Sequence, residues 1–192
     1  MQAEEEFLRA LPETADSLLD VGCGSGRILE ALAGRTRRLA GIDLVHANLL
    51  HSRGRVRSRP DLLLAEADAL SMPFRDSSFA AVAVMINTLG NFGPAQRALL
   101  AEMSRVGGKV VAGCYSLEAE DAQREWYAVL QAEGLLGPVD EDRSDRVRFV
   151  SKDGYVSERF DEGRLGSLFR AAGMGAQIFR PIPELLLAVG VP

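Results

Sequence analysis

Cysteine and histidine are both scarce in this chain: Cys23, Cys114, His46 and His51 are all it has in 192 residues. Two cysteines cannot build a disulfide framework, and two histidines in one helix-like stretch lack the further ligands of a zinc site. Both cysteines are expected as small buried residues, the usual place of an unpaired thiol. No apolar run is long enough to span a bilayer. The opening residues, Met1-Gln2-Ala3-Glu4-Glu5-Glu6-Phe7, are acidic where a secretory signal is basic. The expectation is a cytoplasmic protein with no membrane partner. A net charge of -5 weighs against a protein devoted to phosphate backbones. Repeats, low-complexity runs and linkers are also missing, so one layered α/β domain over 1–192 is expected.

Glycine is where the chain is informative. Leu18-Leu19-Asp20-Val21-Gly22-Cys23-Gly24-Ser25-Gly26 reads as a buried strand running into a loop whose alternate positions carry no Cβ. Such a loop lets the backbone approach a ligand and adopt left-handed geometry. Residues 27–33 then continue as a helix whose N-terminus faces that ligand. A dinucleotide fingerprint needs its third glycine where this chain has Arg27, and a carboxylate at Asp20 repels a pyrophosphate. Both departures argue against NAD. Asp20 suits a cationic group instead.

Three more apolar runs follow at the spacing of βαβ units. Leu39-Ala40-Gly41-Ile42-Asp43-Leu44 ends in an acid placed to accept from two ribose hydroxyls. Residues 62–70 repeat the pattern, with Asp68 able to accept from an adenine amino group, and residues 79–86 run into the amide Asn87. Glycines, acid, acid and amide thus form a row along the carboxyl edge of a sheet. Open α/β sheets bind ligands at that edge.

These motifs, continued through Ala67-Asp68-Ala69-Leu70-Ser71-Met72-Pro73-Phe74, Asp76-Ser77-Ser78-Phe79 and the glycine turn Glu102–Val111, resemble those of class I S-adenosylmethionine-dependent methyltransferases. The 72–79 segment looks most like the small-molecule subgroup. The resemblance implies a Rossmann-like, doubly wound, mostly parallel seven-stranded sheet with an antiparallel last strand and helices on both faces. It implies S-adenosylmethionine as cofactor, with S-adenosylhomocysteine as product, and a small-molecule acceptor. Residue by residue, it implies Asp20 and Gly22 at the methionine amino group, and Cys23, Gly24 and Gly26 in the floor. Asp43 and Leu44 fall at the ribose, Asp68 and Ala69 at the adenine, and Asn87 near the methyl group. Asn87-Thr88-Leu89-Gly90 departs from the Asn/Asp-Pro-Pro-aromatic motif of base-amine methyltransferases, so nucleic acid is disfavoured as acceptor.

Beyond the strands, helices are expected over 4–11, 27–33, 44–53, 94–105, 118–132 and 161–172, with Pro94 in a first helical position. Strands are expected over 109–115, over 147–151 and 155–160 joined by Lys152-Asp153-Gly154, and over 177–182 and 184–191. Residues 116–160 are extra relative to the minimal sheet and form a candidate substrate cover. Asn91, Phe92, Tyr115, Tyr127 and Tyr155 are the candidate pocket residues, while Trp126 and Phe160 are expected to pack the extra elements. Arg35, Arg37, Arg38, Arg53, Arg55, Arg57 and Arg59 form a basic stretch without interleaved aromatics, read as a solvated loop rather than a nucleic-acid site. Two alternatives stay open: an aminopropyltransferase-like enzyme, and a non-catalytic binding module that the short segment before Leu18 favours.

Overall fold

The computed structural model describes Gln2–Val191. In chain order come helices α1 (Gln2–Ala10) and α2 (Glu13–Asp16), strand β1 (Ser17–Val21), α3 (Arg27–Leu32), β2 (Arg38–Asp43), α4 (His46–Arg55), β3 (Leu63–Glu66) and β4 (Ala81–Val84). A 3-10 stretch, Thr88–Ala95, leads into α5 (Gln96–Val106) and β5 (Val110–Tyr115). Then follow α6 (Glu120–Ala132), the hairpin β6 (Arg148–Val150) and β7 (Val156–Glu158), α7 (Glu162–Ala171), β8 (Gly175–Ile182) and β9 (Leu185–Val191).

The sheet order is β3-β2-β1-β4-β5-β9-β8. β1 to β5 pair in parallel and β9 is antiparallel to both β5 and β8, as expected. β1 and β4 are buried along their whole length, which is why they read as unbroken apolar runs rather than alternating ones. Alternation still assigns the faces. Leu19, Val21, Val82 and Val84 meet Leu99, Leu100 and Met103 of α5 and Phe169 of α7. Leu18, Ala81 and Ala83 meet Leu8 of α1 and Ile28, Leu29 and Leu32 of α3. Asp20 shares the face of Leu18, so it lies under α1 and α3. Cys23 and Cys114 are buried free thiols, and burial raises the Cys23 thiol to about 12.

Residues 117–159 leave the sheet and return to it at one point. Ser116 pairs with Phe160, and the Phe160 N–H donates to the Tyr115 carbonyl at 2.9 Å. Arg159, 1 % exposed, ties this excursion together. Its guanidinium donates to Gln123 Oε1, the Asp145 carbonyl and the Arg146 carbonyl.

Three expectations are corrected. Pro94 lies inside the 3-10 stretch, and α5 begins at Gln96; the left-handed Gly93 (φ +48) separates the two turns. Trp126 does not pack the excursion, because α6 buries Gln123 and Tyr127 and leaves Trp126 half exposed. The helix expected over 4–11 ends at Ala10, and α2 follows as a separate short turn.

The basic stretch is a set of caps and ion pairs. Arg59 donates to the carbonyls of Ala33, Thr36 and Arg37, and Arg53 to that of Leu62. Arg55 pairs with Glu30, and Arg37 and Arg38 with Asp16. No helix among the described residues is long and apolar enough to cross a membrane.

Candidate active site

The glycine loop starts where β1 ends. Gly22, Gly24 and Gly26 all have positive φ, a region that L side chains enter at a cost. The Cys23 N–H donates to the Ile42 carbonyl and the Gly26 N–H to the Cys23 carbonyl, both at 2.9 Å, curling the loop back on β2. A Cβ on Gly26 would stand 2.9 Å from the Ser52 backbone of α4. A Cβ on Gly24 would meet nothing within 4 Å. Gly26 is therefore a packing glycine, while Gly24 faces open space at the sheet edge.

Asp43 clamps this loop. Its Oδ2 accepts from the Gly24 N–H at 2.8 Å, and its Oδ1 accepts from the Val45 N–H at 2.9 Å and Asn48 Nδ2 at 3.1 Å. A carboxylate offers about four acceptor positions, so one remains for a ligand. Asp68 is exposed; its Oδ1 accepts from the Leu70 N–H at 2.8 Å. Between the two acids lies a cavity of about 540 Å³, lined by Asp43, Leu44, Asp68, Ala69, Phe92 and Tyr155 among others. Leu44 and Val45 expose their side chains at its rim.

A narrower cleft of about 90 Å³ continues from Gly22 and Thr88 past Asp20, Arg27 and Ile86. Asp20 is 2 % exposed and its Oδ1 has no hydrogen-bond partner among the described residues. Burial, with Glu4 and Asp43 nearby, raises its carboxyl to about 8 against the pull of Arg27. A buried carboxyl with an orphan oxygen is costly, and a cationic ligand relieves it.

Helix α1, ahead of β1, reaches this edge. Glu4, buried on α1, accepts from the Ile86 N–H at 2.8 Å and pairs with Arg27 at 2.7 Å, while Glu5 pairs with the same guanidinium at 2.8 Å. Glu4 went unnoticed in the sequence because nothing local marks it; only the docking of α1 over β5 brings it there. Ile86 and Asn87 both have positive φ, 51° and 56°. For a β-branched residue that is a strained conformation, and it aims the Ile86 N–H at Glu4.

Asn87 is 1 % exposed, and its amide is fully engaged within the protein. Nδ2 donates to Ser157 Oγ (2.9 Å) and the Glu158 carbonyl (3.0 Å), and Oδ1 accepts from the Tyr115 N–H (2.9 Å). It fastens the β6–β7 hairpin to the sheet rather than facing the cavity at the two acids. Tyr155 Oη donates to Asn91 Oδ1 and lies 3.0 Å from Tyr127 Oη, itself a partner of Gln123. Burial raises the Tyr155 hydroxyl far above the usual phenol range. Of the five pocket candidates, Asn91, Phe92 and Tyr155 line the cavity between the two acids. Tyr127 is buried beneath Tyr155. Tyr115 lines a separate apolar cavity of about 270 Å³ with Glu4, Ile86, Ala119, Glu184 and Leu185. No group of three or more His, Cys, Asp or Glu among the described residues is arranged to hold a metal ion.

Fold and edge together define an α/β domain whose carboxyl edge carries Asp43 and Asp68 at one cavity and the buried Asp20 at a narrower cleft beside it. Residues 18–108 match the family model described as a methyltransferase domain. A curated relative, the demethylmenaquinone methyltransferase of Renibacterium salmoninarum, is 38% identical over 104 residues, 52% of this chain and 41% of that protein. The matched part thus spans about two-fifths of that relative's length.

Solved structures share the whole fold. A SAM-dependent methyltransferase from Methanosarcina mazei aligns with a TM-score of 0.68 at 20% identity, covering 97% of this chain and 95% of that one. The Burkholderia thailandensis 1,6-didemethyltoxoflavin-N1-methyltransferase, solved with S-adenosylhomocysteine, aligns at 0.70 and 15% identity over 99% and 76%. At such identities the likeness is one of fold. Residues 18–108, just under half of the chain, thus resemble a methyltransferase domain, and the whole chain shares the fold of solved S-adenosylmethionine-dependent methyltransferases.

The residues present fit that family's cofactor. The orphan oxygen of Asp20 suits its ammonium and the open face of Gly24 its close approach. The remaining acceptor position of Asp43 suits a ribose hydroxyl.

Proposed function

We propose that the protein transfers a methyl group from S-adenosylmethionine to a small-molecule acceptor. The observation that carries this reading is the buried Asp20 carboxyl, whose Oδ1 has no hydrogen-bond partner among the described residues, at one end of a cleft whose other end is bounded by Asp43 and Asp68. An ammonium at one end and a nucleoside at the other match it in charge and order. The relatives named above for menaquinone and toxoflavin chemistry support a small-molecule acceptor. So does the basic stretch, in which Arg53 and Arg59 donate to carbonyls and Arg37, Arg38 and Arg55 are ion-paired.

The cofactor supplies a sulfonium-bound methyl carbon, to which the acceptor's lone pair bonds as the carbon–sulfur bond breaks onto sulfur. Positioning and exclusion of water are then the protein's main tasks. In this reading Asp20 holds the ammonium, Asp43 a ribose hydroxyl, and Asp68 with the Ala69 N–H the adenine edge. Leu44, Val45 and Phe92 supply the apolar walls. The excursion 116–160 acts as the substrate cover. Its Tyr155, anchored on Asn91 and Tyr127, lines the nucleoside cavity. Two unpaired thiols accord with a cytoplasmic setting.

The test is incubation with cofactor labelled in the methyl carbon and, separately, in the aminopropyl chain, against a panel of phenols, amines and RNA. Methyl label in a small molecule is expected. Label from the aminopropyl chain, or transfer to RNA alone, overturns the reading.

A further inference from the structure

An apolar cavity lies beside the narrow cleft at Asp20 and shares Ile86 with it. It is bounded by Ile86, Tyr115, Ala119 and Leu185, with the carboxylates of Glu4 and Glu184 as its charged lining groups. We propose that this cavity binds the methyl acceptor and selects a compact primary or secondary amine with an apolar body over an acidic acceptor. The proposal rests on the methyl-transfer reading.

Three observations carry it. Ile86 lines both this cavity and the narrow cleft beside Asp20, so the two spaces meet at one residue. The strained backbone there holds the Ile86 N–H against Glu4, which fixes the shared wall.

The electrostatics favour a cation. On the α1 side Glu4 and Glu5 pair with Arg27 and Glu5 also with Arg9, so the charge there is balanced and the selectivity falls to Glu184. On the β9 side Glu184 is half-buried, and Arg180, the arginine nearest it in the chain, is engaged by Glu118 and Glu162. Tyr115 adds a ring and a hydroxyl that burial keeps protonated, its pKa raised to about 12. A carboxylate beside an aromatic face attracts an ammonium and repels an anion.

Size sets the third limit. About 270 Å³ holds roughly nine water volumes at about 30 Å³ each, enough for an acceptor of about a dozen non-hydrogen atoms. Methylation requires the nitrogen lone pair, so the bound ammonium loses one proton to solvent before the new carbon–nitrogen bond forms. The neutral Tyr115 hydroxyl and the two carboxylates then face the nitrogen as acceptors.

The experiment uses three near-isosteric probes, 2-phenylethylamine, 2-phenylethanol and phenylacetate, titrated calorimetrically into the full chain saturated with S-adenosylhomocysteine. The amine is expected to bind tightest and phenylacetate weakest, and methyl label from the cofactor is expected in the amine. Glu184→Gln should weaken the amine about three- to fivefold, the scale of a partly exposed ion pair, and leave the alcohol unchanged. Ala122→Phe, which fills the open side of the cavity, should abolish binding of all three, with S-adenosylhomocysteine affinity unchanged in both variants. Phenylacetate binding as tightly as the amine, no probe binding, or amine binding indifferent to both substitutions overturns the proposal. Failure of S-adenosylhomocysteine itself to bind would instead remove the methyl-transfer reading beneath it.

Discussion

Replacing Asp20 with asparagine should make the cofactor-free protein more stable, and increasingly so as pH rises. The carboxyl is 2 % exposed, has an orphan oxygen and titrates at about 8 rather than its ordinary 3.8. Below about pH 4 it is neutral in folded and unfolded chains alike and costs nothing by linkage. Between the two pKa values the unfolded chain ionises and the folded chain does not, so stability falls by about 1.4 kcal/mol per pH unit. Above the folded pKa the loss is complete and constant. From pH 5 to pH 7 the loss is about 3 kcal/mol, or about 5–10 °C in Tm for a chain of this size. The asparagine side chain carries no such titration, and the other ionisable groups cancel in the comparison.

The assay is the difference in Tm between variant and wild type from pH 5 to pH 8. It should widen by about that amount between pH 5 and pH 7, continue to widen toward pH 8 and level off only above the folded pKa. Cofactor binding should move the opposite way: an ammonium beside Asp20 favours the ionised form, so wild-type affinity should gain from rising pH while the variant loses that gain. A Tm difference that is flat with pH would refute the reasoning, because it would mean that Asp20 is already ionised in the folded protein.

Gly26→Ala should lower Tm, since its φ of +83° is retained and its Cβ stands 2.9 Å from the Ser52 backbone; about 1–3 kcal/mol is expected, read by denaturant unfolding. Arg159→Ala should cost about 2–4 kcal/mol by leaving Gln123 and the 145–146 carbonyls without their buried donor. It should also open residues 133–147 to limited proteolysis before the sheet unfolds. Arg59→Ala should cost about 1–2 kcal/mol by uncapping the carbonyls of Ala33, Thr36 and Arg37. Its RNA affinity, measured at matched salt, should equal that of wild type.

Much of the fold was legible because the buried parallel strands leave continuous apolar runs, such as Leu18-Leu19 and Ala81-Val82-Ala83-Val84-Met85-Ile86. The glycine loop was legible because Gly22, Gly24 and Gly26 all occupy backbone that other residues avoid. The rest depends on contacts distant in sequence. Asn87 follows a strand like a ligand residue, but its amide is taken by Ser157, Glu158 and Tyr115, two of them some 70 residues away. Glu4 and Glu184 come to one cavity from opposite ends of the chain. Trp126 has helical spacing with Ala122, Val129 and Leu130, yet α6 turns Gln123 and Tyr127 inward because the buried Arg159 and the hairpin supply polar partners there. No local pattern announces a buried polar network of that kind.

The central claim, a nucleoside sulfonium held between Asp20 and Asp43, is tested most directly by calorimetric titration of S-adenosylhomocysteine into wild type and Asp43→Ala. Wild type should bind it one to one and saturably. The variant, deprived of the ribose acceptor and of the clamp on the Gly24 N–H, should bind it weaker by about 1.5–3 kcal/mol, ten- to a hundredfold or more. Equal affinity in the two proteins, or no binding by wild type, would contradict the account.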